Sequence, residues 1–233
     1  MINIAHYIDH TLLKPNATIK QIKQLCQEAI NHGFYSVCVN PCHVYQCLLA
    51  LHNTNVKVCS VVGFPLGAND SEIKSAEAKV AIAKGANELD MVMNVGFLLS
   101  EEFDLIIEEI EVIAATAHSN DVLLKVIIEA GLLTDEQKVK ACKLAAYAGA
   151  DFVKTCTGFS GGQATVEDVR LMKAAVGQRV EVKASGGIKD YATALAMIEA
   201  GASRIGTSSG VKIAMEELET LASRFNGRLE AKE

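Results

Sequence analysis

The chain has 233 residues, 50% hydrophobic and 21% charged, an ordinary globular composition. A chain of this length buries a sizeable core without needing disulfides or structural metals. The formal charge of −6 and pI near 5.6 exclude a general nucleic-acid or anionic-membrane surface, but not a small anion held by local cations and backbone amides.

The predicted elements alternate from the start. A first strand over about 6–10 leads into an irregular turn around Lys14-Pro15. "TIKQ" at 18–21 then opens a helix with the capping-box pattern of a hydroxyl followed three residues later by Gln. "NHGFYSVCVN" at 31–40 ends that helix in glycine and starts the second strand, 34–39. "NP" at 40–41 sets Asn at the cap and Pro at the first helical position. The third strand spans 56–62, and the acidic first turn "NDSE" follows it. "AKGANELDMVMN" at 83–94 repeats the glycine join into a fourth strand at 87–93, followed by "SEEFD". The fifth strand, 122–129, precedes a second capping box, "TDEQ" at 134–137. "AYAGADFVKTCT" at 146–157 carries the sixth strand, 151–156, and "TVED" opens the next helix. Strands at 179–184 and 203–207 complete the series, the last after "EAGAS".

Eight strand–helix units in about 230 residues imply parallel strands with right-handed crossovers, closing as one α/β domain over 1–233, a single (β/α)8 TIM barrel. The competing open, doubly wound sheet calls for a Gly-rich dinucleotide turn after its first strand, and "IDHTLLKPN" is nothing like one.

Barrel active sites form at the carboxyl ends of the strands. Read in turn, those ends supply Asp9, Cys38, Gly63, Asp90, Lys125, Lys154, Lys183 and "GTSSG". Strands five, six and seven each deliver a lysine, spaced by 29 residues and again by 29, so the three amines are expected at comparable heights. Any one alone reads as a snorkelling side chain. Three on neighbouring strands with apolar flanks call for a use. A lysine near its usual pKa of about 10.4 is protonated and not nucleophilic, whereas burial and a neighbouring ammonium disfavour the charge. Lys154, central in the row, is expected to be a Schiff-base nucleophile and Lys183 the cation that perturbs it. Asp90 and Asp9, flanked by apolar residues, read either as structural partners of the lysines or as proton-transfer groups. Glu129 reads as a group that orients a neighbour.

"TGFSGG" (157–162), "ASGGIKD" (184–190) and "GTSSGVK" (206–212) are small-residue turns where a barrel commonly binds phosphate. Six histidines form no H-x-H or H-E-x-x-H pattern, and only His6 and His10 lie close in sequence, so no metal site is expected. Seven cysteines without a C-x-x-C pair read as small hydrophobes in a reducing cytosol, with Cys38 lining the pocket. No signal-peptide pattern opens "MINIAHYIDH", and no apolar run approaches the ~18 residues of a membrane span. A cytoplasmic protein is expected.

The segments "IDHTLLKP", "SVCVNP", "VVGFPLG", "ELDMVMNVG", "LKVIIEAGLL", "DFVKTCTGF", "VKASGGI" and "RIGTSSG" together resemble the deoxyribose-phosphate aldolase family, from residue 8 to residue 210. The resemblance implies reversible cleavage of 2-deoxy-D-ribose 5-phosphate to acetaldehyde and D-glyceraldehyde 3-phosphate, within deoxyribonucleotide catabolism and without a cofactor. It implies Lys154 as the Schiff-base lysine, Lys183 as its perturbing amine, Asp90 as the proton relay, and Asp9 and Lys125 as support. Gly158, Gly186, Gly187, Ser208 and Ser209 match the phosphate-binding turns, and Thr155 falls within the substrate pocket. Some members carry a tyrosine in the tail that takes part in proton transfer. This chain ends "SRFNGRLEAKE", so water or another group is expected to take that part. A phosphorylated sugar as substrate and pairing into a homodimer complete the expectations. The rivals are a Schiff-base aldolase for another sugar phosphate and a silent barrel that only binds one.

Overall fold

The computed structural model describes residues 2–230, with side chains through residue 223. The strands are β1 (Ile8–Leu12), β2 (Ser36–Val39), β3 (Lys57–Val62), β4 (Glu88–Val92), β5 (Leu123–Ile127), β6 (Phe152–Lys154), β7 (Glu181–Ser185) and β8 (Arg204–Thr207). They pair in sequence order, all parallel, and β8 closes on β1 through Ile8↔Ile205, Asp9↔Gly206 and His10↔Thr207. The outer helices are α1 (Ile19–His32), α2 (Val44–Ala50), α3 (Ser71–Ala83), α4 (Val95–Leu99), α5 (Phe103–His118), α6 (Asp135–Tyr147), α7 (Val166–Val176), α8 (Tyr191–Glu199) and α9 (Gly210–Glu230). None among the described residues is long and apolar enough to cross a membrane.

Local chemistry accounts for these boundaries. Thr18 and Thr134 both complete the capping boxes written in "TIKQ" and "TDEQ". Gly33 ends α1 at φ 66°, a left-handed conformation that costs glycine little, and the chain then turns into β2. Two expectations are refined. The first strand begins at Ile8, because the Asn3 side chain caps a 3₁₀ turn over Ile4–Tyr7, and the buried amide of Ile4 is taken by Glu217. Asn40 holds the N-cap position with Pro41 after it, but its side chain makes no capping hydrogen bond. Its side chain donates to the Leu13 carbonyl, and Pro41–His43 form a 3₁₀ turn before α2.

Strand alternation divides the interior into two regions of opposite character. In β4, Leu89 and Met91 face outward into the apolar layer beneath the helices, as do Leu124, Val126, Val153, Val182 and Ile205 from other strands. Their neighbours face the barrel axis. In an eight-stranded barrel the inward side chains of alternate strands share a layer, each layer climbing about one residue per strand crossed. Applied to the observed register, this gives three layers. The floor is Ser36, Glu88, Phe152 and Arg204. The middle is Asp9, Cys59, Lys125 and Lys183. The layer nearest the mouth is Cys38, Asp90, Lys154 and Gly206. The apolar core is therefore an annulus around a charged lumen.

Candidate active site

Six side chains singled out in the sequence meet in that lumen: Asp9, Cys38, Asp90, Lys125, Lys154 and Lys183. The three amines all meet one carboxylate, that of Asp90, but they do not lie in one layer. Lys125 and Lys183 share the middle layer, whereas Lys154 stands one layer nearer the mouth. Equal spacing along the chain does not encode the stagger between strands.

Asp90 is the hub. Its Oδ1 accepts from Lys125 Nζ at 2.8 Å, and its Oδ2 from Lys154 Nζ at 2.8 Å and Lys183 Nζ at 2.7 Å. Asp9 takes Lys183 Nζ at 2.5 Å, the Arg204 guanidinium at 2.8 Å and the Ser36 hydroxyl at 2.7 Å. Glu88, on the floor, pairs with Lys125 at 2.7 Å and with Arg204 at 2.8 Å. The Arg204 guanidinium also lies over the Tyr35 ring, 3.2 Å from its centroid. Four cations thus face three carboxylates. Lys125, Lys183 and Arg204 each contact two carboxylates; Lys154 contacts one.

Electrostatics follow from that arrangement. Burial alone would raise the carboxyl of Asp90, but Lys125, Lys154 and Lys183 hold it well below the usual range. Burial is likewise outweighed at Asp9, lowered by Lys183, Lys125 and Arg204. Burial works against the ammonium charge of Lys183, yet Asp9 and Asp90 raise it above its ordinary value, and Asp90 and Glu88 do the same for Lys125. So the amine expected to be the perturbing cation is itself held firmly charged.

Above the lumen lies a cavity of about 290 Å³, lined by Leu13, Lys14, Lys154, the Thr157–Phe159 turn, the Ser185–Lys189 turn and Gly206–Ser208. Lys154 is the one lumen amine on its wall, 3% exposed. Phe159 meets Phe64 edge to face, with ring centroids 5.2 Å apart, and so forms an apolar flank. The turns are packed backbone to backbone: a Cβ on Gly131 would lie 2.7 Å from Gly162 Cα, and one on Gly186 3.2 Å from the Gly162 carbonyl. Gly158, Gly186, Gly187 and Ser208 border the cavity. Ser209 instead faces an outer groove with His10, Glu28 and Lys212. Thr155 is fully buried; its hydroxyl donates to the Ser185 carbonyl and accepts the Ser185 amide.

Glu129 has a sharper position than its sequence suggested. It is 2% exposed, adopts φ +51°, and its carboxylate accepts both the amide and the hydroxyl of Thr157. It ties the turn after β5 to the turn that borders the cavity. Sequence reasoning missed Glu88, Arg204 and Cys59. Each stands two positions before or level with a residue it did find, so the inward period of two was the available signal. From Arg224 onward the side chains of "SRFNGRLEAKE", where no tyrosine was expected, lie outside the described residues.

A buried amine opening onto a cavity, a carboxylate behind it and three small-residue turns around it suit covalent capture of a carbonyl compound with an anionic group. Residues 3–215 match the model of the DeoC/LacD family aldolase. The deoxyribose-phosphate aldolase of Caldanaerobacter subterraneus subsp. tengcongensis is 57% identical over 217 residues, 93% of this chain and 94% of that protein. The solved structure of an aldolase designated QR15 superposes with a TM-score of 0.89 at 45% identity, covering 94% of this chain and 97% of that one. The tetrameric deoxyribose phosphate aldolase of Aeropyrum pernix has a TM-score of 0.87 at 36% identity, covering 94% and 92%.

Proposed function

The chain belongs to the DeoC/LacD family of aldolases, carbon–carbon lyases, and from that membership we propose that it cleaves 2-deoxy-D-ribose 5-phosphate through a Schiff base on Lys154. One observation carries the choice of lysine. Lys154 is the lumen cation with a single carboxylate contact and the one that reaches the cavity wall. With Lys154 neutral, the remaining cations and carboxylates balance three to three, and no carboxylate loses its last partner. Neutralising Lys125 or Lys183 instead would break two ion pairs in the dry interior, the costlier change.

The neutral amine attacks the C1 aldehyde of the open-chain sugar phosphate, and loss of water with return of the one proton that Lys154 had given up gives an iminium. The iminium restores the positive charge beside Asp90. The C2–C3 bond then breaks as the C3 hydroxyl proton leaves through a water toward Asp90, and the bonding electrons pass into the iminium to form an enamine. D-Glyceraldehyde 3-phosphate departs. Protonation of the enamine, with water as the donor, and hydrolysis release acetaldehyde and the free lysine. Backbone amides of the turns at Gly158, Gly186–Gly187 and Ser208 bind the phosphate, and exposed Lys14 and Lys189 stand at the rim.

Borohydride reduction in the presence of substrate, followed by peptide mapping, tests this reading. An adduct on Lys154, absent from Lys154→Ala, supports it; a Lys154→Ala protein that cleaves at full rate overturns it. As for assembly, we propose a homodimer, which light scattering checks directly.

A further inference from the structure

The lumen holds a pair of thiols that the aldol chemistry does not use. Cys38 and Cys59 are register partners on β2 and β3, both fully buried, and both point at Asp90. Cys59 Sγ lies 3.1 Å from Asp90 Oδ1, and Cys38 Sγ 3.9 Å from Oδ2. The two sulfurs and the carboxylate all fall within 4.8 Å of one another.

We infer that Cys38, Cys59 and Asp90 form a binding site for a single thiophilic divalent cation, zinc or cadmium, whose occupancy shuts the active site. A tetrahedral ion with metal–sulfur bonds of about 2.3 Å sets its ligand atoms roughly 3.5–3.8 Å apart, within small side-chain adjustments of the spacing observed. Three protein ligands leave the fourth position to water. Soft sulfur ligands select zinc or cadmium over magnesium or calcium.

The charge balance permits it despite the surplus of cations. Binding replaces two S–H bonds by two metal–thiolate bonds and releases two protons, so a dication enters and two unit charges leave. The net charge of the lumen is unchanged, and nothing is oxidised or reduced. The Asp90 lone pair that accepts the Cys59 thiol in the free protein is vacated as that proton departs and becomes available to the ion. The lysine contacts of Asp90 occupy its other lone-pair directions. Because the ligands must be deprotonated, affinity rises with pH.

An ion seated there draws on the same carboxylate as Lys154 and fills the space between it and β2. Loss of aldolase turnover rests on the reading of Lys154 and Asp90 given above; occupancy of the site does not. The test therefore reads binding and turnover separately. Cadmium titrated into the full chain at neutral pH is expected to bind one ion at this site. It should give thiolate-to-cadmium charge-transfer absorption, release two protons per ion in weak buffer, and abolish turnover in proportion to occupancy until a chelator restores it. Cys59→Ser is expected to weaken binding by about a hundredfold or more, since even outer-shell changes cost 10–100-fold, while exposed Cys42→Ser leaves it unchanged. A band that persists in Cys59→Ser, or that is lost in Cys47→Ser, a buried cysteine of the apolar core outside the lumen, overturns the assignment. So does release of no protons. If Cys59→Ser does not fold, the ¹¹³Cd chemical shift of the unsubstituted protein decides, because it distinguishes two sulfur ligands from none or one. Binding without loss of turnover would keep the site and reject the roles given to Lys154 and Asp90.

Discussion

Lys154 and Lys183 donate to the same oxygen of the same carboxylate, Oδ2 of Asp90, at 2.8 and 2.7 Å. This shared acceptor links the state of one amine to the presence of the other. With Lys183 in place, a neutral Lys154 leaves three cations for three carboxylates. In Lys183→Met the count is already three to three with Lys154 charged, so neutralising Lys154 strands a buried negative charge. Turnover and the rate of borohydride trapping should both fall by about a hundredfold or more, the scale of a lost acid–base contribution. Trapping at the wild-type rate in that variant would separate the two amines and defeat the argument.

Removing the hub has a different cost. Asp90→Asn leaves three buried ammonium groups around a neutral amide, and breaking a buried charge network in this one-sided way typically costs 3–5 kcal/mol. For a chain of this size about 1 kcal/mol corresponds to 2–4 °C. A loss of roughly 10 °C in Tm is expected together with loss of activity. An inactive Asp90→Asn protein with an unchanged Tm would show the carboxylate to be catalytic without holding the lumen together.

The carboxyls of Asp9 and Asp90 are depressed in the folded chain. Their stabilisation is therefore complete above the unfolded carboxyl pKa of about 3.9 and is lost as pH falls below it toward the folded values. Lys125 and Lys183 are raised, so their share is complete below about 10.4 and is lost only in stronger alkali. Urea midpoints should form a plateau through neutrality with a drop below pH 4. The gap between wild type and Asp9→Asn should narrow along that acid limb; a gap independent of pH would mean that Asp9 stabilises through packing rather than charge.

How much of this was legible beforehand depends on which geometry each residue needed. The order of strands and helices, and the inward placement of Asp90, Lys154 and Lys183, follow from glycine joins, capping boxes and strand-end position, all local signals. The offset of Lys154 from the layer of Lys125 and Lys183 did not follow, because stagger between strands belongs to the closed barrel and not to chain spacing. Strand-end position carries no signal for Arg204 and Glu88, which stand two residues before the ends, where the lumen begins. The clamp of Glu129 on Thr157 joins residues 28 apart across two loops, and only the assembled backbone brings them together.

That clamp yields a prediction about binding rather than chemistry. Glu129→Gln weakens charge-assisted hydrogen bonds to the Thr157 amide and hydroxyl, worth about 1.5–3 kcal/mol. The turn that carries Gly158 loosens, while Lys154 and Asp90 stay as they are. KM for the phosphorylated substrate should rise by roughly tenfold or more with kcat little changed, and unphosphorylated 2-deoxyribose should be processed as before. An equal loss for both sugars would place Glu129 in general folding instead of in support of the anion turn.

The two glycines after β7 separate strain from contact. Both have positive φ, 97° at Gly186 and 78° at Gly187, so alanine is strained at either. Their surroundings differ. A Cβ on Gly187 meets the end of the Gln163 side chain, which can swing away, whereas one on Gly186 meets the Gly162 carbonyl at 3.2 Å and Cys156 Cβ at 3.3 Å, atoms that give way only with the backbone that carries them. Gly186→Ala must therefore push apart the turns after β6 and β7, displacing the amides that would cradle phosphate. Gly187→Ala can keep them at the cost of local strain, about 1–3 kcal/mol. Inorganic phosphate, used as a competitive inhibitor, should lose more affinity to Gly186→Ala than to Gly187→Ala, and both folded variants should still trap a Schiff base at high substrate. The reverse order would mean that the ligand approaches Gly187 more closely than any backbone does, and that Gly187, not the stacked turns, sets the site.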